Sequence, residues 1–374
     1  MKSGIATFSL DYGKCPRWLF ERMTKLAEIL IEAIVIEFGP TEFLKRISDP
    51  VWFQSFGCLL AFDWNSSGLT VTTTAAIKRA LSQRNWDLEI YVCGGKGKSS
   101  LRTPQEIDEI NSNFGYNNNF KEISKIVAKI DNTLVQDGFS IYHHSFFFDS
   151  KGNWVVIQQG MNTQFQLARR YHWIGNQKTD MENFLSDYQK IACNIKMPKV
   201  LNLASKDSSE NRNITLKIIK EKDPLKEIKA LEIILDNKKH LFKHLYLPNL
   251  EFKYHPVLNE KLDFKKIRKF ILESVNKLEG KGNKISFIDI LKTNMGPKTI
   301  RALSLAAEVI YGAVPSYKDP ARYSFAHGGK DGTPYFVDIQ NYDKTIEVLK
   351  RAIRLSKVLS YREKTGLLLK LEKF

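Results

Sequence analysis

Apolar positions recur along this chain at two spacings, and each predicts its own kind of element. Leu19, Met23, Leu26, Leu30 and Ile34 stand three or four residues apart, one stripe of a long helix over 16–37. Gly39-Pro40 stops it, and a shorter helix from Thr41 ends near Asp49-Pro50. The run 88–93 reads as a strand entering Gly94-Gly95-Lys96-Gly97-Lys98. Ile107 and Ile110 mark one further helix, and Ile123, Ile126, Val127, Ile130 and Leu134 another. Residues 139–148 and 154–158, joined by Asp149-Ser150-Lys151-Gly152, form a β-hairpin, and 182–191 has a helical pattern. Residues 205–213 are polar and rich in breakers, as a linker would be. Helices are then predicted at 224–246, 261–278, 285–292, 297–311 and 341–360. The expected fold is α+β: a mixed α/β domain (1–204), a linker (205–213) and an all-α domain (214–374).

Charge sharpens this division. The chain of 374 residues carries a formal charge of +16. Lys and Arg outnumber Asp and Glu by 23 to 20 over residues 1–205 and by 34 to 21 over 206–374. Thirteen of the sixteen surplus charges thus fall in the second part, which points to a polyanion bound there, with duplex DNA the expected partner. No apolar run is long enough to span a bilayer, and the N-terminus lacks a signal-peptide core, so a cytoplasmic protein without membrane contact is expected. Cys15, Cys58, Cys93 and Cys193 form no C-x-x-C pair, which argues against a zinc ribbon or an iron–sulfur cluster. Oligomeric state is not legible.

The candidate chemistry centres on 295–311, MGPKTIRALSLAAEVIY. Ile285, Ile288 and Leu291 space out a short helix, Lys292-Thr293-Asn294 makes a turn, and a second helix starts at Gly296-Pro297. Such a layout offers backbone N–H groups to a phosphate. Gly296-Pro297-Lys298-Thr299 with Ala302-Leu303 resembles the second half of a helix-hairpin-helix DNA-binding motif. Asn294 stands where that motif usually carries its first Gly, and Asn tolerates left-handed φ better than most residues. The resemblance implies DNA contacts from Asn294, Gly296, Thr299 and Arg301. Toward the glycosylases that carry this motif, it implies a Schiff-base amine on Lys298 and a stabilising carboxylate on Asp319. Arg301 and Lys330, the latter in a second Gly-Gly-Lys loop, would lower the pKa of that amine.

Other stretches could add contacts. Lys96 and Lys98 suit a nucleic-acid backbone, although the loop is no Walker motif, since Val92 stands where its first Gly would fall. Gln158 could read a base edge, and Arg169-Arg170 beside Tyr171 and Trp173 suit a backbone with a stacked base. A metal-dependent endonuclease would draw on Asp63, His143 and Asp149, with Glu89, His144 and His172 as further ligands. Tyr91 occupies the position where a restriction-type core wants its base, and His143 and His144 point to opposite faces of a strand.

GIATFSLDYGKCPRWLFERM, FGCLLAFDWNSSGLT, YVCGGKGKSSLRTP, VVIQQGMNTQFQLARRYHW and DPARYSFAHGGKDGTPYFVD together resemble an archaeal and thermophile family known as domain of unknown function 763. That resemblance implies an archaeal or thermophilic cytoplasmic protein and adds no reaction. The favoured expectation is therefore a DNA-repair enzyme, a base-excision glycosylase with strand-nicking activity that needs no cofactor. One alternative is the endonuclease with a divalent metal; the other is a non-enzymatic DNA or RNA binder.

Overall fold

The structure, a computed structural model, describes residues 3–5, 10, 15–60, 66–82, 85–185, 190–193, 195–198, 200–236, 262–321, 323–326, 347, 350–351, 353–354 and 360–372. In chain order its elements are β1 (Ser3–Ile5), α1 (Arg17–Phe38), α2 (Pro40–Ile47), α3 (Pro50–Leu59), α4 (Ser66–Leu81), α5 (Asn85–Leu88) and β2 (Ile90–Lys96). Then come α6 (Lys98–Leu101), α7 (Thr103–Phe114), α8 (Phe120–Lys129), β3 (Val135–Gln136), β4 (Ser140–Asp149), β5 (Asn153–Asn162), β6 (Leu167–Asn176), α9 (Met181–Leu185), β7 (Lys190–Cys193) and β8 (Leu201–Asn202). The remainder is α10 (Ser209–Lys220), α11 (Lys226–Asp236), α12 (Phe264–Leu278), α13 (Phe287–Leu291), α14 (Pro297–Tyr311), β9 (Tyr323–Ala326) and α15 (Tyr361–Glu372).

Five antiparallel strands, ordered β7-β6-β5-β4-β2, form the centre of a sheet that β9 and β1 extend by parallel pairing. Side chains alternate between its faces, so the Phe146-Phe147-Phe148 run of β4 feeds two cores. Phe147, Val155 and Ile157 join residues of α1–α4, among them Met23, Phe43, Phe53 and Ile77. Phe146, Phe148, Trp154, Val156 and Trp173 join α8 and continue into α10–α14. The sheet is buried between two helical layers.

Three expectations need correction. Residues 205–213 are not a linker: a 3-10 turn and the first turns of α10 occupy them. Three of their polar side chains, Ser208, Asn211 and Arg212, are buried and satisfy backbone carbonyls. Asn211 donates to the carbonyls of Ser304 (3.0 Å) and Ala313 (2.6 Å), and Arg212 to those of Leu203 and Ser205. The second part of the chain is not all helical either. Its strand β9 enters the main sheet between β1 and β7, and Leu367 of α15 packs in the core with α1. Finally, of the helix expected over 182–191, residues up to Leu185 are helical, whereas Lys190–Cys193 is strand β7. Most of the helix expected at 341–360 lies outside the described residues, although 347, 350–351 and 353–354 are helical, and the end of the one at 224–246 also lies outside them.

Candidate nucleic-acid interface

The α13–α14 turn is built from local hydrogen bonds and two long reaches, from Lys129 and Gln136. Ser286 and Asp289 form a reciprocal capping box that starts α13. Thr293 Oγ1 donates to the Ile290 carbonyl (2.6 Å) and accepts from the Met295 N–H (3.3 Å). From α8, the Lys129 ammonium donates to the carbonyls of Thr293 (3.1 Å) and Met295 (2.9 Å), and burial lowers its pKa. Gln136 donates to the Pro297 carbonyl (2.9 Å), which fixes the start of α14.

Gly296 is the N-cap of α14, with Pro297 at the first helical position and no side chain capping the helix. Its φ of −96° is open to any residue, and a Cβ placed there meets nothing within 4 Å. Asn294 is exposed, and Gly296 and Lys298 are half-buried. Positive φ at non-glycine positions is confined, among the described residues, to Glu89 and Gln166, so Asn294 does not supply the left-handed turn expected of it. Thr299 and Arg301 are also corrected: both are buried in the body of α14. Arg301 donates through Nε to Gln136 Oε1 (2.7 Å), and burial lowers its pKa to about 10. Beside the turn opens a cavity of about 340 Å³, lined by Glu122, Asp180, Glu182 and Lys292 over Ile123 and Ile288. Its carboxylates outnumber its ammonium, so it does not suit a phosphate.

Asp319 is fully engaged. Arg169 donates to both of its oxygens (3.2 and 2.7 Å), the Met197 N–H to Oδ2 (2.6 Å) and the Ala321 N–H to Oδ1 (2.9 Å). The same guanidinium donates to Asp137 (2.8 Å), which also accepts from the Tyr171 hydroxyl (2.8 Å) and the Phe139 N–H (3.0 Å). The side chains of Arg169 and Asp319 are 0% and 3% exposed. This carboxylate is a buried structural group, not one poised beside a sugar.

The remaining candidates lie on the sheet. Direct cross-strand pairing aligns Lys96, His143, Gln159 and Arg170 in one row. His143 Nε2 sits 3.0 Å from Thr74 Oγ1 and 3.1 Å from Ser145 Oγ, and burial pulls its pKa to about 3. Arg170 donates to Gln54 (3.1 Å), Thr70 (3.2 Å) and the Pro50 carbonyl (3.1 Å), and burial lowers its pKa to about 9. On the opposite face, Gln158 Oε1 accepts from the His144 Nδ1–H (2.8 Å) and the Gln158 amide N–H donates to Asp131; Ser124 holds the other ring nitrogen. Gln158, Arg169, Arg170 and His143 are thus parts of a buried polar layer. Gln158 is therefore unavailable to read a base edge, Arg169 and Arg170 to contact a nucleic-acid backbone, and His143 to act in an exposed nuclease site, contrary to expectation.

Asp149 accepts from Thr41 (2.8 Å) and the Asn153 N–H (2.8 Å) at the far end of β4. Six residues of strand, roughly 20 Å, separate it from His143, so the two cannot share a metal. Among the described residues no group of three or more His, Cys, Asp or Glu could hold a metal ion. Asp63 and Lys330 lie outside the described residues. Lys96 and Lys98 are exposed, as a contact role requires. Reading the sequence missed their neighbours Leu101, Arg102, Phe165, Ile195 and Lys196, all exposed. For Phe165 one signal was present: residues 150–179 contain no Asp or Glu.

The chain belongs to the family described as protein of unknown function (DUF763), which it matches over residues 4–337. No curated protein and no solved structure matches it. No helix among the described residues is long and apolar enough to cross a membrane.

Proposed function

We propose that this protein binds nucleic acid, with duplex DNA as its ligand, and that the α13–α14 turn receives a backbone phosphate. The observation that carries this reading is the start of α14. A fifteen-residue helix begins at an uncapped glycine with open space above it, flanked by exposed Asn294 and half-buried Lys298. Backbone N–H groups and a nearby ammonium are the donors a phosphate needs. The formal charge of +16 adds long-range attraction.

The strand-nicking reaction expected of Lys298 and Asp319 lacks its carboxylate, because Asp319 is held by Arg169 and two backbone N–H groups. Binding is the activity this geometry favours. Gly296→Leu tests it: the side chain fits the backbone and the space, so melting temperature should hold while it obstructs the approach of a phosphate. Fluorescence anisotropy with a short labelled duplex should show a loss of about tenfold, on the order of 1.4 kcal/mol. Unchanged affinity would remove the turn from the interface.

A further inference from the structure

Strand directions bring three loops to one end of the sheet. The C-terminus of β2 lies beside the N-terminus of β4, which pairs with the C-terminus of β5; the β5–β6 turn and the exit of β7 follow. Four steps between strands set the width of this end at roughly 19 Å. The corner 94–102, the turn 162–167 and the exit 195–198 contain no Asp or Glu. They present Lys96, Lys98, Arg102 and Lys196, all exposed. Among the described residues no carboxylate pairs with any of the four. The contrast is α12, where Lys266 pairs with Asp263, Arg268 with Glu232 and Lys269 with Glu273.

Apolar side chains stand among these cations: Leu101 is 80% exposed, Phe165 52% and Ile195 55%. Local hydrogen bonds and close strand packing shape the segments around them. Asn162 Oδ1 accepts from the N–H groups of Gln164 and Phe165 (both 3.0 Å), and the turn closes through Gln166 at a left-handed φ of 54°. Gly94, at φ 88°, lets β2 lie so close to β4 that a Cβ would come within 2.2 Å of the His144 carbonyl oxygen. Asp319 fixes the β7 exit through the Met197 N–H (2.6 Å). The buried polar layer thus sets the shape of a basic, apolar-tipped surface.

We infer that this end of the sheet binds an unpaired strand of nucleic acid, its cations on the phosphates and Phe165 stacked on a base. A duplex keeps its bases inside, so unneutralised cations interleaved with an exposed ring fit a single strand better. The inference rests on the nucleic-acid reading above and adds a second ligand form at a second face. Gln136 joins the two faces: it holds Pro297 and Arg301 of α14 and lies four residues before β4.

The test uses the full chain with labelled oligo(dT), a labelled duplex, and sedimentation with phosphatidylserine–phosphatidylcholine vesicles. Phe165→Ala should weaken oligo(dT) binding about fivefold or more, with duplex affinity unchanged. Lys96→Ala/Lys98→Ala/Arg102→Ala should also flatten the salt dependence of oligo(dT) binding, a readout that a purely structural effect would not give. Gly296→Leu should do the reverse, sparing oligo(dT). Duplex binding with oligo(dT) affinity indifferent to both sheet-end variants would overturn this inference and leave the duplex reading standing. Vesicle binding that Phe165→Ala abolishes, without oligo(dT) binding, would overturn it in favour of a membrane surface. Absence of binding to either nucleic acid would overturn both readings.

Discussion

Lowering pH should destabilise this protein steeply before its carboxylates titrate, and three buried histidines set the size of the effect. His143, His144 and His172 are 1%, 5% and 2% exposed. Burial brings the pKa of His143 to about 3 and that of His144 to about 4, and holds that of His172 well below 6.5. Unfolded histidines take up protons near pH 6.5. The folded pKa values are depressed, so the stability they contribute is present above pH 6.5 and is lost as pH falls from there toward the folded values. Each histidine that is protonated only when unfolded steepens the dependence by about 1.4 kcal/mol per pH unit. Between pH 7 and 5.5 the three together should remove about 4 kcal/mol. Urea denaturation across that range measures it, provided that the m-value stays constant. His144→Gln keeps polar contact with Ser124 and Gln158 and should reduce the pH-dependent loss by about one third. Stability flat from pH 7 to 5.5, or a slope unaltered in His144→Gln, would refute the buried-neutral assignment.

Asp319→Ala should cost about 3 kcal/mol in urea denaturation, near the low end for breaking a buried pair, because Arg169 keeps Asp137. Stability preserved within about 1 kcal/mol in Asp319→Asn, with loss of borohydride trapping to abasic DNA, would instead restore the catalytic role. Gly94→Ala should lower the melting temperature clearly, since its Cβ meets backbone at 2.2 Å. Gly97→Ala meets nothing within 4 Å, but φ 58° with ψ −121° strains any side chain, so it should cost about 2 kcal/mol from the backbone alone; unchanged stability would contradict this account of the corner.

Local periodicity carried much of the helical content. The stripe beginning at Leu19 and Met23 is α1, and the start of α14 at Gly296-Pro297 was readable because Pro fits the first turn and the apolar face follows it. Where polar residues are buried, the same logic misled. Arg169 and Arg170 suggested nucleic-acid contacts and His172 a metal ligand, yet each is buried and bonded to a partner far away in sequence. The string 205–213 read as a linker because Asn, Ser and Asp favour breaks, whereas Asn211 and Ser208 satisfy carbonyls on other elements. Of the candidate site, Lys96, Lys98, Asn294, Gly296 and Lys298 keep some accessibility. Arg301, Thr299 and Asp319 were inferred from their place in a motif, which says nothing of the face on which each side chain lands.

Nucleic-acid binding is tested most directly by the salt dependence of duplex affinity in the wild-type chain. Anisotropy with a labelled duplex from low to moderate salt should give a straight line of log K against log salt. With about three phosphates or more neutralised, its slope is about −3 or steeper. Absence of duplex binding at the lowest salt, or a slope near zero, would contradict the account.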